Sequence, residues 1–407
     1  MNKQILFISG SVGLGHVVRD LEIAKELRSQ IPDLEIIWLA GEPALSFLKE
    51  HGETIHTKNN RWNADTDLLE SINRISGKKG KIFYTNLIEF VIKTRSFWTD
   101  NIKLLDEIME KERYDLLLGD ETFEISLALI HKAIRIKPFF AMIFDFVGIE
   151  VTTKSLVEKA IVYKINYDWA RINKKLPPKV ITRIFIGELD DVPDKRFGLL
   201  LPNRKESTKN KYNFVGYVLP FNPENYMHKD EIRKKLKLDN NLLIVCSVGG
   251  TSIGLPLLKL CCETFPLVKK KIPGIIMILV AGPRISSNDL NTSEGIILKE
   301  YVPQLYEYLA ACDLAIVQGG STTTLELVAL KKPFIYFPVE GHFEQQLHVA
   351  PRLERFNAGL KMQFSKTTPA ILAEKIISNI HKQVNYPSIP FDGAKNTVKI
   401  LREIIGN

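Results

Sequence analysis

Residues 301–350 read YVPQLYEYLAACDLAIVQGGSTTTLELVALKKPFIYFPVEGHFEQQLHVA. An apolar run, Leu314 to Val317, meets the turn Gly-Gly-Ser-Thr-Thr-Thr. An amphipathic segment from Thr322 to Leu330 follows, and a second apolar run spans Pro333 to Phe337. Short apolar runs bounded by glycine or proline are typical of buried strands, and a 3.6-residue period is typical of a helix. The stretch therefore predicts a strand, a tight loop, a helix and a second strand.

The turn after the first strand has the composition of an anion-binding loop. Gly319 and Gly320 let the backbone approach a ligand closely, because they carry no Cβ atom. We expect Ser321 or Thr322 to cap the helix, whose N–H groups and positive dipole end then face the loop. A phosphate is the ligand that such a helix start favours.

Side chains that bind hydroxyl groups follow this turn. Glu326 lies one turn into the helix, where its carboxylate can accept two hydrogen bonds from a vicinal diol such as a ribose. The second strand ends at Pro338 and leads into residues 340–346, which read EGHFEQQ. This loop offers carboxylate, amide and imidazole groups to a polar ligand.

The order and spacing of these residues resemble the donor-site signature of UDP-sugar glycosyltransferases. The relatives are the UDP-glucuronosyltransferases, the plant secondary-product glycosyltransferases and the bacterial N-acetylglucosaminyltransferase that completes lipid II. The matching positions are Tyr301, Pro303, Gln304, Gly320, Thr323, Glu326, Pro333, Pro338, Glu344 and Gln345. The resemblance implies the B-type glycosyltransferase fold, an α/β fold of two doubly wound Rossmann-like domains that face a cleft. It also implies a donor in the second domain and an acceptor in the first.

The resemblance further implies a role for individual side chains. Tyr301 stacks beside uracil, Glu326 holds the ribose, and Glu344 with Gln345 reads the sugar hydroxyls. The chain departs from the family at Gln318, where many relatives carry a phosphate-binding histidine, and at Tyr301, where plant enzymes have tryptophan.

A second glycine loop precedes the signature. A strand from Leu242 to Cys246 leads into residues 247–252, SVGGTS, and then into a helix through Thr264. Two such loops can hold the two phosphates of a nucleoside diphosphate through backbone N–H groups. The predicted donor site comprises Gly249, Gly250, Thr251, Tyr301, Val302, Gln304, Gln318, Gly319, Gly320, Ser321, Thr322, Glu326, His342, Glu344 and Gln345.

The amino terminus predicts a separate β-α-β unit. A strand over residues 4–9 is followed by a glycine loop at 10–15 and a helix from about His16 to Gln30. The spacing Gly-x-x-Gly-x-Gly-His differs from the dinucleotide-binding fingerprint. Together with His16 and Arg19, the loop resembles the amino-terminal motif of the same glycosyltransferase superfamily.

Transfer of a sugar requires a base, because an acceptor hydroxyl is a poor nucleophile until it loses its proton. His16 is the candidate base. The strand Leu116–Gly119 ends at Asp120, which we expect to lie at the same sheet edge and to orient the imidazole. An alternative is that His16 only caps the helix or contacts phosphate. Further candidates at this edge are Gly15, Arg19 and Glu121.

Loop N–H groups and a helix start can stabilise the leaving diphosphate without a metal. The Asp-x-Asp motif at Asp65 to Asp67 does not follow an apolar strand, which favours a polar loop over a metal site. We therefore expect no metal and no cofactor, with the UDP-sugar as co-substrate. Direct displacement then inverts the anomeric carbon.

Length and charge set the domain organisation and the partners. A chain of 407 residues fits two domains of about 200 residues each. We place them at 1–217 and 218–390, and expect a last helix at 391–407 that packs back on the first domain. The net charge of +8 favours phosphates or an acidic membrane surface. Nucleic acid is not an expected partner, because no nucleic-acid-binding module is recognisable.

The sequence also predicts where the protein resides. Its first apolar run is too brief for a signal peptide, and no run has the length of a transmembrane helix. The four cysteines lie in apolar contexts without the spacing of zinc or redox motifs, which predicts buried thiols at Cys246, Cys261, Cys262 and Cys312. We expect a cytoplasmic protein that reaches the inner face of the membrane if it contacts lipid.

Residues 72–110 mix aromatic and basic side chains. These are Lys78, Lys79, Lys81, Phe83, Leu87, Phe90, Val91, Lys93, Arg95, Phe97 and Trp98. One interpretation is a core helix with a solvated basic side. The other is a surface that docks a lipid-linked acceptor or an anionic membrane. A similar mixture recurs at residues 161–179.

Two other functions are compatible with the sequence. A nucleotide-sugar hydrolase of the same superfamily has a similar Gly-x-Gly-His-x-x-Arg loop and uses water instead of an acceptor. A non-catalytic subunit would bind the donor or a membrane and leave the chemistry to a partner. The transferred sugar stays open, and so does the acceptor, which is a lipid-linked intermediate, a glycan or a small metabolite.

Overall fold

The computed structural model describes residues 3–10, 14–63, 87–151, 154–250 and 252–406, with the backbone alone at 87–92. Two compact units divide the chain: the first contains the described residues up to Pro220 together with those from Pro390, and the second contains Phe221–Ile389. Several sequence predictions fall outside the described residues, namely those on Gly13, the Asp65-to-Asp67 motif, the side chains at 72–92 and Thr251.

The first unit contains a seven-stranded parallel sheet. Its strands are β1 Gln4–Ile8, β2 Glu35–Leu39, β3 Thr54–Ile55, β4 Leu116–Asp120, β5 Phe139–Phe144, β6 Thr182–Phe185 and β7 Tyr212–Phe214. They lie in the order β3-β2-β1-β4-β5-β6-β7, so the direction of winding changes between β1 and β4. Both central strands are almost wholly buried, as expected for parallel strands that helices cover on two faces.

Helices connect these strands. They are α1 Leu14–Gln30, α2 Ala44–Glu50, α3 Leu87–Lys111, α4 Phe123–Ile130, α5 Leu156–Lys175 and α6 Arg204–Thr208. The chain returns to this unit at its carboxyl end as α13, Gly393–Ile405, which packs against α1. Lys3 Nζ donates a hydrogen bond to the carbonyl of Ile405 over 2.6 Å, and Arg402 donates to Gln30 over 3.1 Å.

The second unit contains a six-stranded parallel sheet. Its strands are β8 Leu243–Ser247, β9 Ile276–Val280, β10 Ile296–Lys299, β11 Leu314–Gln318, β12 Phe334–Phe337 and β13 Leu360–Lys361. The order is β10-β9-β8-β11-β12-β13, with the change of winding between β8 and β11. The helices are α7 Lys229–Lys235, α8 Leu255–Lys271, α9 Leu305–Ala311, α10 Ser321–Ala329, α11 Ala350–Arg355 and α12 Pro369–Asn379.

Two doubly wound parallel sheets confirm the predicted fold class. The helix expected to end at Thr264 instead continues to Lys271, with Pro266 inside it. Strand β7 ends at Phe214, and Gly216, with a φ of +83°, forms an antiparallel bridge with Gly187.

The four cysteines are free and buried, as predicted. None of the helices in the described ranges combines the length and the hydrophobicity that crossing a membrane requires.

Candidate active site

One candidate site lies at the carboxyl edge of the first sheet. Ile8 of β1 pairs with Gly119 of β4, and Asp120 pairs with Ile143 of β5. The three strand ends are therefore neighbours, and side chains that follow them converge at the change of winding, where open α/β sheets bind ligands.

His16 and Asp120 are in contact at this edge. His16 lies in the first turn of α1, and its Nδ1 is 2.7 Å from Asp120 Oδ2. A Cβ atom on Gly10 would lie 2.3 Å from that carboxylate oxygen and 2.8 Å from Nδ1. The pair therefore occupies space that only glycine leaves at this position. Because Asp120 occupies Nδ1, Nε2 is the ring nitrogen left for a substrate.

Arg19 connects this pair to a second carboxylate. It lies one turn after His16, its Nη2 is 2.6 Å from Asp120 Oδ1, and its Nη1 donates to Asp145. Asp145 follows the carboxyl end of β5 directly. That position alone could have identified it from the sequence as a further residue of this site. Asp20 was missed: it is fully buried and accepts a hydrogen bond from Ser9 Oγ over 2.7 Å. Its burial depends on how α1 packs, which the local sequence does not show.

The electrostatics of this cluster set the protonation of His16. Burial disfavours the imidazolium, but the attraction of Asp120 outweighs it and raises the pKa of His16 to about 10. Arg19 acts in the opposite direction. Burial also opposes ionisation of Asp120, yet the charges of Arg19 and His16 hold its pKa below the usual range. At neutral pH the two groups are an imidazolium and a carboxylate.

The two remaining candidates of this unit lie beside the pair. Gly15 belongs to the first turn of α1, next to His16. Glu121 follows Asp120 with a left-handed backbone, φ 54°, and its N–H donates to the carbonyl of Ile143. Its charge adds to the forces that raise the pKa of His16.

A second candidate site lies at the carboxyl edge of the second sheet. Val317 of β11 pairs with Ser247 of β8, and Gln318 pairs with Phe337 of β12. The connections that leave these three neighbouring strands contain Gly249 with Gly250, Gly319 with Gly320, and residues 338–346. The structure thus brings most of the predicted donor residues to one edge.

The start of α10 differs from the prediction that Ser321 or Thr322 caps it. The N-cap is Gly320, and no side chain among the described residues caps the helix. Ser321 is instead the first helical residue, and its Oγ accepts a hydrogen bond from Nη1 of the buried Arg352 over 2.9 Å. Thr322 is the second helical residue. The uncapped first turn is free to bind an anion through its N–H groups.

The two glycines before α10 have different surroundings. A Cβ atom on Gly319 would lie 2.8 Å from Cα of Pro338, so the absence of a side chain lets two strand ends pack together. A Cβ atom on Gly320 would meet no atom of the described residues within 4 Å. The same is true of Gly249, which has a φ of +79°.

Glu326 is a buried carboxyl group without an ionic partner in the described part of the chain. It lies on α10, 5% exposed, and no described residue donates a hydrogen bond to its side chain. Burial raises its pKa to about 8. A group that donates two hydrogen bonds would stabilise the carboxylate here.

The loop that was predicted to read hydroxyl groups is internally ordered. Gln345 Oε1 accepts a hydrogen bond from the Val339 N–H over 2.8 Å, and Gln346 donates to the Pro338 carbonyl over 2.9 Å. Burial lowers the pKa of His342. Glu344 immediately precedes a π-helical turn, Gln345–Val349, a rare geometry that is frequent at functional sites.

Three predicted donor residues follow a strand that is not adjacent to β8, β11 or β12 in the sheet. Tyr301, Val302 and Gln304 belong to the connection between β10 and α9, and β10 is an edge strand. Tyr301 and Val302 are half-buried, and Gln304 is exposed. Across the described ranges, no three or more His, Cys, Asp or Glu residues are grouped to hold a metal ion.

The chain is similar to known glycosyltransferases in sequence and in fold. Residues 244–396 match the Glycosyltransferase family 28 C-terminal domain. An uncharacterized glycosyltransferase of Methanosarcina acetivorans is 23% identical over 99% of each chain. The UDP-N-acetylglucosamine--N-acetylmuramyl-(pentapeptide) pyrophosphoryl-undecaprenol N-acetylglucosamine transferase of Clostridioides difficile is 23% identical over 91% of this chain and 79% of its own.

The solved structure of Acinetobacter baumannii MurG has a similar fold, with a TM-score of 0.54 at 12% identity, covering 99% of this chain and all of its own.

Proposed function

We propose that the chain is a glycosyltransferase of the B-type fold, as its similarity to such proteins supports. In this proposal it moves a hexosyl group from a UDP-sugar to an acceptor hydroxyl, with inversion and without a metal. The observation that carries this proposal is Glu326, a buried carboxyl group without a described partner, on the helix that starts at Ser321 and has Gly320 as its N-cap. A ribose diol supplies the two hydrogen-bond donors that this carboxylate lacks.

The donor site that we propose uses the carboxyl edge of the second sheet. The diphosphate binds the N–H groups at the start of α10 and in the Gly249 loop. Arg352, whose guanidinium contacts Ser321 at that helix start, adds positive charge near the phosphates. Tyr301 contacts uracil, and Glu344 with the amide nitrogen of Gln345 binds the sugar hydroxyls.

The acceptor hydroxyl is activated by His16 in this proposal. Its proton moves to Nε2 of His16 as its oxygen attacks the anomeric carbon, and the bond from that carbon to the diphosphate breaks. One displacement inverts the anomeric configuration. Asp120 holds the imidazole through Nδ1 and stabilises the imidazolium that forms. The raised pKa of His16 means that the neutral, proton-accepting form increases as pH rises toward 10.

The relatives suggest which substrates to test first. The name of the Clostridioides difficile relative specifies UDP-N-acetylglucosamine and a pyrophosphoryl-undecaprenol acceptor. We propose a donor of the UDP-N-acetylglucosamine class and a lipid-linked acceptor, used by a cytoplasmic protein at the inner face of the membrane. The positive net charge supports this location, because it attracts lipid diphosphates and acidic lipids.

Thermal unfolding with a panel of nucleotides and UDP-sugars tests the donor. A ligand at 100 times its Kd adds about 2.7 kcal/mol to the stability of the native state. We expect UDP and one UDP-sugar to raise Tm and other nucleotides to leave it unchanged. The absence of a shift with every uridine nucleotide would contradict the proposed donor site. Stabilisation by UDP without turnover on any acceptor would instead favour a non-catalytic donor-binding role.

A further inference from the structure

Asp20 is a carboxyl group of the candidate active site that the transfer mechanism does not use. It lies on α1 immediately after Arg19 and is 0% exposed. A buried ionised carboxylate is costly, so such a group either pairs with a cation or takes up a proton. The contacts of Asp20 decide between these two states.

One oxygen of Asp20 binds the residues that follow the first strand. Its Oδ2 is 2.7 Å from Ser9 Oγ, and the N–H of Gly10 donates to it over 3.4 Å. Ser9 and Gly10 follow β1 directly and lead into the glycine loop that precedes His16. Asp20 therefore connects the beginning of this loop to α1.

The other oxygen of Asp20 faces Arg19 without a hydrogen bond. Oδ1 is 3.8 Å from Arg19 Nε, and neither atom has a hydrogen-bond partner in the described part of the chain. The other two nitrogens of the guanidinium donate elsewhere, Nη2 to Asp120 and Nη1 to Asp145. Arg19 therefore binds two carboxylates and only faces the third.

The charges of this cluster favour a neutral Asp20. The cluster contains three carboxyl groups, those of Asp20, Asp120 and Asp145. It contains two cationic side chains, those of Arg19 and His16. An uncompensated negative charge is costly in a buried cluster, and one added proton removes it. Asp20 is the carboxyl group that accepts no hydrogen bond from either cation, so the proton is most stable there.

The directions of the pKa shifts agree with this argument. Burial raises the pKa of Asp20 well above its usual range, and the negative charge of Asp120 raises it further. Arg19, the hydrogen bond to Ser9, and His16 act in the opposite direction without cancelling the increase. The pKa of Asp120, which contacts both cations, is lowered. Where two carboxyl groups compete in this way, one stays ionised and the other keeps its proton.

We propose that Asp20 is a positioning residue that keeps its proton at neutral pH and, as a neutral acid, holds the glycine loop in front of His16. The Ser9 hydroxyl then rotates to accept a hydrogen bond from the carboxyl O–H, for which 2.7 Å is a suitable distance. Because a neutral Asp20 adds no negative charge beside His16, it does not raise the pKa of the imidazole further. The protonation of Asp20 is independent of the reaction, whereas its role in transfer rests on the proposed function.

Thermal unfolding of the wild type and of Asp20→Asn tests the proton without any substrate. The unfolded chain releases this proton near the ordinary pKa of aspartate, about 3.9, and the folded protein keeps it to higher pH. The stability that this group contributes is therefore lost as pH rises between the two pKa values. Asparagine is neutral at every pH. From pH 5 to pH 7 the Tm of Asp20→Asn should rise relative to that of the wild type, by about 3–5 °C per pH unit.

The matched control for this experiment is Asp33→Asn. It changes an exposed aspartate of the first unit, and its Tm should follow that of the wild type at every pH. If the Tm of Asp20→Asn fell relative to the wild type as pH rose, Asp20 would be an ionised, stabilising carboxylate, and the proposal would be overturned. A difference in Tm that stayed constant from pH 5 to pH 7 would also overturn it.

Nuclear magnetic resonance gives a second measurement, on the wild type alone. In protein labelled with ¹³C at the aspartate carboxyl groups, we expect one signal to remain at the protonated position at pH 7. The same signal should be missing from Asp20→Asn. Finding every aspartate signal at the carboxylate position at pH 7 would contradict a neutral Asp20.

Kinetics test whether Asp20 positions the loop as a neutral group. Asp20→Ala removes the contacts with Ser9 and Gly10 and should lower kcat by about tenfold or more. Asp20→Asn keeps a hydrogen bond to Ser9 without a charge and should be at least about tenfold more active than Asp20→Ala. UDP should raise the Tm of both variants as it does that of the wild type, because the proposed donor site lies in the second unit. Equal kcat of the two variants would show that the neutral side chain does not perform the positioning.

Discussion

Arg19 Nη2 lies 2.6 Å from Asp120 Oδ1, on the opposite oxygen of the carboxylate that contacts His16. The carboxylate is therefore fixed from both sides, and both Asp120 and Arg19 are buried. Breaking such a contact leaves an uncompensated buried charge. His16, Asp120 and Arg19 therefore form one cluster of connected side chains. Kinetic constants and their pH dependence can separate the roles of the three residues.

Replacement of His16 tests the base directly. We expect His16→Ala to lower kcat by about 10²–10⁴-fold, because the acceptor loses its proton acceptor. KM for the UDP-sugar should change little, because the donor binds elsewhere in this mechanism. UDP release with the donor and acceptor pair found by screening measures both constants. His51→Ala, which alters an exposed histidine of the first unit, is the control. Full kcat in His16→Ala would exclude the base assignment.

The pH dependence of the wild type follows from the pKa of His16. A base works in its neutral form, so a pKa raised to about 10 predicts that kcat/KM increases from pH 7 toward pH 10. Asp120→Asn removes the attraction that raises this pKa and should move the rise to lower pH, with a lower maximum because the imidazole loses its orientation. Arg19 lowers the pKa of His16, so Arg19→Gln should move the rise to higher pH.

The three profiles discriminate between roles. If kcat/KM increased over the same pH range in the wild type and in Asp120→Asn, His16 would not be the group whose titration controls the activity. If Arg19 had only a structural role, Arg19→Gln would lower kcat/KM at every pH and leave the pH range of its increase unchanged.

Donor affinity should also depend on pH, through Glu326. Its pKa of about 8 means that the free protein carries a neutral carboxyl group at pH 7. Two hydrogen bonds from a ribose stabilise the carboxylate and lower its pKa in the complex. Binding therefore releases a proton, and UDP affinity should rise by up to about tenfold per pH unit below 8 and become constant above it.

Calorimetric titration with UDP across this range measures the effect. Glu326→Gln should bind more weakly above pH 8 and show no such dependence. Glu354→Gln changes an exposed carboxylate of the same unit and should behave as the wild type. A pH-dependent affinity that persists in Glu326→Gln would assign the proton to another group.

The sequence predicted the helices and strands, and the edge of each sheet at which the candidate site lies, because both follow from local patterns. The apolar run Leu116 to Gly119 predicted β4 to within one residue, and the carboxyl ends of parallel strands share an edge in any doubly wound sheet. This reasoning alone was enough to expect His16 and Asp120 close together. It could not show that Arg19 bridges two carboxylates, because the direction of a side chain depends on tertiary packing.

The start of α10 illustrates the same limit. Serine and threonine are common helix caps, so Ser321 and Thr322 fitted the local rule. The structure starts the helix at Ser321, which leaves Gly320 as the N-cap, and uses Ser321 Oγ to accept from Arg352, 31 residues later. A contact between distant residues that displaces a local preference is not visible in a short window of sequence.

The two glycines before α10 provide a test that separates folding from binding. A Cβ atom at Gly319 would lie 2.8 Å from Cα of Pro338, whereas one at Gly320 would meet no atom of the described part of the chain within 4 Å. The φ of Gly320 is −70°, which alanine adopts without strain. Gly319→Ala should therefore lower Tm, because the strand ends must separate. Gly320→Ala should keep the wild-type Tm and weaken UDP binding at least about tenfold, because the methyl group occupies space that the diphosphate needs.

Thermal unfolding with and without UDP measures both the stability and the UDP binding of the two variants. Unchanged UDP binding by Gly320→Ala would mean that the diphosphate does not approach α10 at this residue.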